Sequence, residues 1–392
     1  MPSSLDAWIQ RESIAFDDVG IDAMLAAMPD VEILGFGEAL HGGEEILVLR
    51  NRLFQRLVER HGFRAIAIES TFPQARHVND FIAGHGEKAK YGEWISNGMG
   101  LLDANRELIE WMRQYNAYHD EKLHFYGFDM PLGNGSFASP RFILEFVGDP
   151  DRKGRIEALI GDDAEWETMA VIADPSQGVG RTPRATELRI EIDDLITEIR
   201  TTHPGRSESL HYAMMCRGLL AAHAALAREG RTGNAEMLGI RDAIMADNLE
   251  HILSCERDRG RVLVFAHNSH LKRGKASWQM GTLVDEWWPA GSHMSRILGA
   301  RYAVIGTGVG VSEENGIGPP EAGTLESFFT EAVLVATTHA PATDMPVRSG
   351  SVRNPTYFPW TRDSFRDFDW LAYVPSATYQ RGGPPLQAWD TK

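Results

Sequence analysis

Short apolar runs, each closing on a polar residue, recur along the chain and give the first outline of its fold. Residues 31–36 (VEILGF), 64–68 (RAIAI), 123–128 (LHFYGF), 261–266 (RVLVFA) and 302–306 (YAVIG) carry the pattern most clearly, with 332–337 and 370–374 weaker. None alternates strictly between apolar and polar, which suits strands buried on both faces of a mainly parallel sheet. Helical periodicity separates them at 44–60, 74–82 and 103–115. The alternation predicts an α/β fold, a mainly parallel central sheet flanked by helices. Between 149 and 256 no strand pattern occurs, and 184–202, 206–229 and 234–256 read as long helices. This stretch is expected to be a helical insertion covering the carboxyl edge of the sheet, with residues 1–148 and 257–392 as the two halves of the α/β core. The glycine-rich run 306–311 (GTGVGV), the stretch 316–323 and residues 338–361 read as loops.

Polar residues gather where the runs end. Glu38 and His41 follow the first, Glu69 the second, Asp129 the third, and His267 and His270 the next. On parallel strands all six share the carboxyl edge, the place where open α/β sheets bind ligands. Within 44–60, the 100° step of a helix puts Ile46, Leu47, Leu49, Leu53, Phe54 and Leu57 on one face, and Arg50 falls in its middle. A buried guanidinium requires a partner, so Arg50 is expected to reach Glu38 or Glu69. His41, just before Gly42-Gly43, is expected to be a general base oriented by one of those carboxylates. His267 and His270 admit two readings. They are metal ligands together with Glu38, Glu69 or His41, or they bind substrate oxygens and stabilise an oxyanion. Their spacing is not that of a zinc-protease helix, and no metal or other cofactor is indicated. No Gly-x-Ser-x-Gly elbow and no Walker phosphate loop occurs. Trp278, Trp287 and Trp288 are candidates to line a hydrophobic pocket.

Charge and composition narrow the partners. At 392 residues the chain can bury a core without staples. Its net charge of −16 argues against nucleic acid or an anionic membrane surface as a partner. Two cysteines, Cys216 and Cys255, and an N-terminus without an apolar run point to a cytoplasmic setting. No apolar run approaches the roughly 20 residues of a membrane span. The expected partner is a hydrophobic small molecule; no pattern bears on oligomeric state.

At Gly37-Glu38-Ala39-Leu40-His41-Gly42, Leu49-Arg50, Phe63 to Glu69, Trp111 to Asn116, Tyr126 to Met130, Arg241-Asp242 and Val264 to His270, the sequence resembles the erythromycin esterase family. The resemblance implies a hydrolase that activates water against a carboxylic ester or lactone, as in the opening of macrolide antibiotics. It carries the general base onto His41, catalytic roles onto Glu38, Glu69, Arg50 and His267, and substrate binding onto His270, Asp129 and Trp111. Leu40 and Gly43 stand where the family commonly has threonines, and Gly98-Met99-Gly100 also departs from the pattern. The same scaffold would serve biosynthetic tailoring by cyclisation, dehydration or acyl transfer, or the binding of a metal or other ligand.

Overall fold

The computed structural model describes residues 4–86, 89–132, 137–202, 205, 207–280, 282–379 and 381. Its strands are β1 (Ser13–Ala15), β2 (Ile33–Glu38), β3 (Phe63–Thr71), β4 (His124–Asp129), β5 (Arg261–His267), β6 (Ala276–Met280), β7 (Leu283–Trp287), β8 (Tyr302–Val311), β9 (Val333–Ala336) and β10 (Trp370–Ser376). Eight of them form one sheet in the order β1-β9-β10-β8-β2-β5-β3-β4. The six from β10 to β4 run parallel, and β9 is antiparallel to both its neighbours. All seven apolar runs are strands of this sheet, which is the mainly parallel α/β fold expected. The short strand β1 and the separate β6–β7 hairpin have no counterpart in the run pattern, because neither is a continuous buried run.

Side chains alternate across the sheet and feed two cores. Leu34, Phe36, Ile66, Leu263, Phe265 and Ile305 pack with helices α1 (Glu44–Arg60), α2 (Phe72–Ile82) and α3 (Asp103–Tyr118). Ile33, Ala65, Ala67, Val262, Val264 and Val304 face α4 (Pro150–Ile160), α5 (Pro183–Thr202), α6 (Ser207–Leu226), α7 (Ala235–Glu256) and α8 (Ala290–Leu298). The helices of the middle stretch therefore share one core with the sheet, and α7 packs directly on β4. No helix among the described residues is long and apolar enough to cross a membrane.

Three local devices shape the carboxyl edge. The chain leaves β2 for β3 and β4 on one side and later reaches β8 and β10 on the other, with β5 returning beside β2. That is a topological switch point. Gly37 lies against Asn268, whose amide bonds both backbone groups of Thr307 (2.8 and 3.2 Å) and so braces β8 where it parts from β2. A Cβ on Gly37 would lie 2.2 Å from the Asn268 Oδ1. In β3 the register with β4 slips between Ile68 and Thr71, a bulge that re-aims Glu69. Gly127 permits it, since a Cβ there would lie 2.4 Å from the Ser70 carbonyl.

The glycines of 306–311 are not a loop but the second half of β8. Gly306 and Gly308 occur at alternate positions so that the rings of Phe368 and Trp360 can lie flat on the strand. A Cβ on Gly308 would be 2.6 Å from the Trp360 ring, and Trp360 is fully buried. Gly308→Ala should therefore cost about 1–3 kcal/mol through overpacking, read as a lower urea midpoint with unchanged slope. Residues 338–361 form no helix or strand, yet they are more than a surface loop. Arg348 is buried and donates to the carbonyls of Val309, Gly310 and Gly318, tying this strap to the sheet.

Candidate active site

Glu38 is the last residue of β2 and is buried, while His41 follows in the turn before α1. Gly42, at φ +79°, makes that turn in a conformation suited to glycine, and the Tyr379 ring leaves no room for a Cβ there. The His41 Nδ1 lies 2.5 Å from the Glu38 Oε1. A carboxylate only accepts, so Nδ1 carries the proton and Nε2 is left as the free base. Burial pushes the Glu38 carboxyl up, with the His41 charge and hydrogen bond opposing. Desolvation works against protonation of His41, but the charge and hydrogen bond of Glu38 outweigh it and raise the imidazole above its usual value. The ring's 41% exposure supports that direction, because a half-open side chain keeps much of its hydration.

Glu69 sits beside this pair in a cage of donors. Its Oε2 accepts the His267 backbone N–H (2.8 Å), and its Oε1 accepts from the Arg241 Nη2 (2.9 Å) and pairs with the His270 Nε2 at 3.4 Å. Burial alone would raise this carboxyl, but His270, His41 and Arg241 together hold it well below the ordinary carboxylate range. Arg241 also forks onto Asp129 at 2.9 and 2.6 Å. His270 is gripped from behind by Asp242, whose oxygens lie 2.9 and 3.0 Å from Nδ1. Desolvation disfavours its charge, yet Asp242 and Glu69 prevail and the imidazole is pushed up to about 10. The edge thus alternates in sign: Asp242⁻, His270⁺, Glu69⁻, Arg241⁺, Asp129⁻.

His267 differs from its neighbour. Its Nε2 donates to the Thr356 carbonyl (2.7 Å), and its Nδ1 accepts the Ser269 N–H (3.2 Å) and contacts the Ser269 hydroxyl (2.7 Å). Burial and the charge of His41 push it down to about 3, so it stays neutral. With both nitrogens engaged, it supports the tilted His41 ring at 5.1 Å and is not itself placed as an acid, a base or a metal ligand.

These groups close one side of a cavity of about 350 Å³, lined by His41, Glu69, Arg241, His267, Ser269, His270 and Thr356. The opposite walls are Leu132, Phe137, Trp166, Val171, Leu226 and Leu238, with Trp278 and Trp287 beside them. The size and the mostly apolar lining are those of a small-molecule pocket. Trp288 is exposed and does not line it.

Three expectations are corrected. Arg50 is buried but reaches neither carboxylate within 4.0 Å. It bonds Asn51 (2.7 and 3.1 Å) and stacks on Phe265 at 4.7 Å, leaving Nη1 unpartnered. Burial pushes it down to about 9, against the pull of Glu38 and Glu44, so it acts on Glu38 through the field and cannot touch substrate. Asp129 is saturated by Arg241 and does not line the cavity; it positions that arginine. Trp111 lies on α3, packed on Phe54 in the layer across the sheet, and cannot bind substrate there. Leu40 belongs to that same far core, so its difference from the family pattern does not alter the cavity wall.

The family motif includes Arg241-Asp242 without giving either residue a role, and no pattern marks Thr356. Asp242 carried a legible signal. On α7 it falls at the helical spacing of Leu238, Met245, Leu249 and Ile252, a charge in an apolar stripe like Arg50. Thr356 acts through its carbonyl, which no residue type signals.

Glu38, His41 and Glu69 bring donor atoms within 4.8 Å of one another, close enough to surround a metal ion. Two of these donors already share a proton, and Glu69 already faces two cations. A metal there would share Glu69 with Arg241 and His270, while the His41 Nε2 and the Glu38 Oε2 have no partner among the described residues.

Fold and site together define a doubly wound α/β protein with an acid–base pair at its switch point, opening on an apolar cavity. The sequence profile of the family described as erythromycin esterase matches residues 58–372. The chain belongs to the erythromycin esterase family. It is 25% identical to the type II erythromycin esterase of Escherichia coli over 71% of this chain and 68% of that one. Against the type I enzyme of the same organism it is 23% identical over 75% and 73%. Among solved structures, a Bacillus cereus protein shares the fold with a TM-score of 0.72 and 17% identity over 98% of both chains. An erythromycin esterase mutant in its open conformation does so with a TM-score of 0.70 and 18% identity, over 94% and 95%. Glu38 and His41 precede the residues that this profile matches.

Proposed function

We propose that this protein hydrolyses the carboxylic ester or lactone of a hydrophobic small molecule, with His41 as the general base. The observation that carries the reading is the Glu38–His41 pair, its free Nε2 beside a cavity whose other walls are apolar. His41 takes a proton from water as its oxygen attacks the carbonyl carbon. Arg241 and His270 offset the negative charge that develops on the carbonyl oxygen, and His41 returns the proton to the leaving alcohol. Glu38 fixes the tautomer and steadies the imidazolium. The names of the curated relatives make macrolides the first compounds to try.

The test is a mass-spectrometric screen of macrolides and simpler lactones for the gain of one water, run with and without chelator. Turnover without water uptake would point to another reaction, and loss of turnover in chelator would replace the proton mechanism with a metal one. The pH profile gives a second check. His41 must be neutral to act and its pKa is raised above 6.5. Activity should therefore climb with pH through an apparent pKa above 6.5; a rate already level below that value would contradict the assignment.

A further inference from the structure

The polar groups of the cavity fall into two sets. Most stand at the strand ends, but His223 lies on α6 in the opposite wall, and none of its contacts is with a strand-end group. It is 4% exposed. Its Nε2 donates to the Ala138 carbonyl at 3.1 Å, and the ring is held edge-on to Trp166 (5.0 Å) and Phe137 (5.9 Å). Behind it, Gly180 lets the helix backbone approach so closely that a Cβ would be 2.2 Å from the His223 carbonyl carbon.

That donation settles the tautomer, because the proton on Nε2 leaves Nδ1 as a bare acceptor. Nδ1 has no partner among the described residues. It is not among the sealed, unpartnered buried atoms, so it stays open to the cavity that His223 lines, where a ligand donor can reach it. Desolvation pushes this imidazole down to about 4, so it meets a ligand neutral and acts only as an acceptor. Close by, Thr168 lines the same cavity, and its hydroxyl already accepts the Ala170 N–H at 3.3 Å.

We propose that His223 is a specificity subsite, accepting a hydrogen bond from a hydroxyl on the part of the substrate remote from the ester. The substrate class is then a bipolar one: an ester or lactone carbonyl at His41, an apolar middle, and a hydroxyl at His223. This deepens the hydrolase reading above and rests on it for the ester end.

Binding tests it without relying on turnover. Methyl ω-hydroxyalkanoates of graded chain length, each paired with the unsubstituted methyl alkanoate, are titrated into the His41→Ala protein and followed by tryptophan fluorescence. At the chain length that spans the cavity, the hydroxyl should tighten Kd about ten-fold. Adding His223→Phe should bring that ratio to about one, and His223→Gln, which restores an acceptor, should recover it. A ratio unchanged by His223→Phe, or no hydroxyl preference at any length, overturns the proposal.

If His223→Phe fails to fold, ¹⁵N-imidazole spectra of the unsubstituted protein decide. The hydroxy ester should move the Nδ1 resonance of His223 and its plain counterpart should not; equal effects overturn the subsite. The two readings also fail separately. A hydroxyl preference that depends on His223, with no ester ever cleaved, leaves the subsite standing and removes the hydrolase. Cleavage indifferent to the hydroxyl does the reverse.

Discussion

Glutamine at position 41 should lower turnover by about 10²- to 10⁴-fold, the usual range for losing a general base, with little change in thermal midpoint. His41 is half open to solvent, and its one side-chain hydrogen bond among the described residues goes to Glu38, to which the glutamine amide can still donate. The folded state therefore loses little while the reaction loses its base. Glu38→Gln should be nearly as damaging for a different reason. The amide lacks the negative charge that steadies the imidazolium, and where its NH2 turns to Nδ1 it also moves the imidazole proton to Nε2 and removes the lone pair that accepts from water. Because the two residues act as one device, the double variant should be scarcely worse than either single one. Steady-state kcat and KM, with ¹⁸O uptake from labelled water, measure all three. A His41→Gln protein that turns over at the unsubstituted rate would remove the base from this site altogether.

Much of this geometry is legible in the amino-acid sequence, and what is legible follows from physical rules. Runs such as 261–266 mark strands because a strand buried on both faces has no polar positions to interrupt it, and a parallel sheet then puts their ends together. Arg50 was legible as buried from helix phase alone. Its partner was not, since the phase gives a direction and not the length of reach; Phe265 and Asn51 lie in that direction before Glu38 does. The glycines of β8 misled because alternate glycines under aromatic rings and a flexible loop share one composition. Trp111 fell on the wrong face of the sheet because a motif in the sequence does not say which core its helix packs against. The strap from 338 to 361 hid its role for another reason: it meets His267 through the Thr356 backbone carbonyl, while its tie to the sheet is Arg348.

The network behind His270 was the least visible part, and its loss should be the most destabilising single change. Asp242 is fully buried and accepts from three donors on its two oxygens: the His270 Nδ1–H, shared between both, the Trp287 Nε1 at 2.7 Å and the Ala290 N–H at 2.8 Å. Asp242→Asn replaces one acceptor oxygen with a donor that must face another donor. It also removes the nearer counter-charge of a buried imidazolium, leaving only Glu69 at 3.4 Å. Breaking a buried pair in this way costs roughly 3–5 kcal/mol. The cost should depend on pH with a definite sign. The His270 pKa is raised from 6.5 to about 10 on folding, so its stabilisation is complete below pH 6.5 and fades as pH climbs through 10. The gap in guanidinium midpoint between Asp242→Asn and the unsubstituted protein should therefore be widest near pH 6 and narrow toward pH 10. A gap that stayed constant across that range would mean His270 is not charged in the fold. In that case the alternation of charges along the sheet edge, which holds Glu69 and Arg241 beside the base, would have to be redrawn.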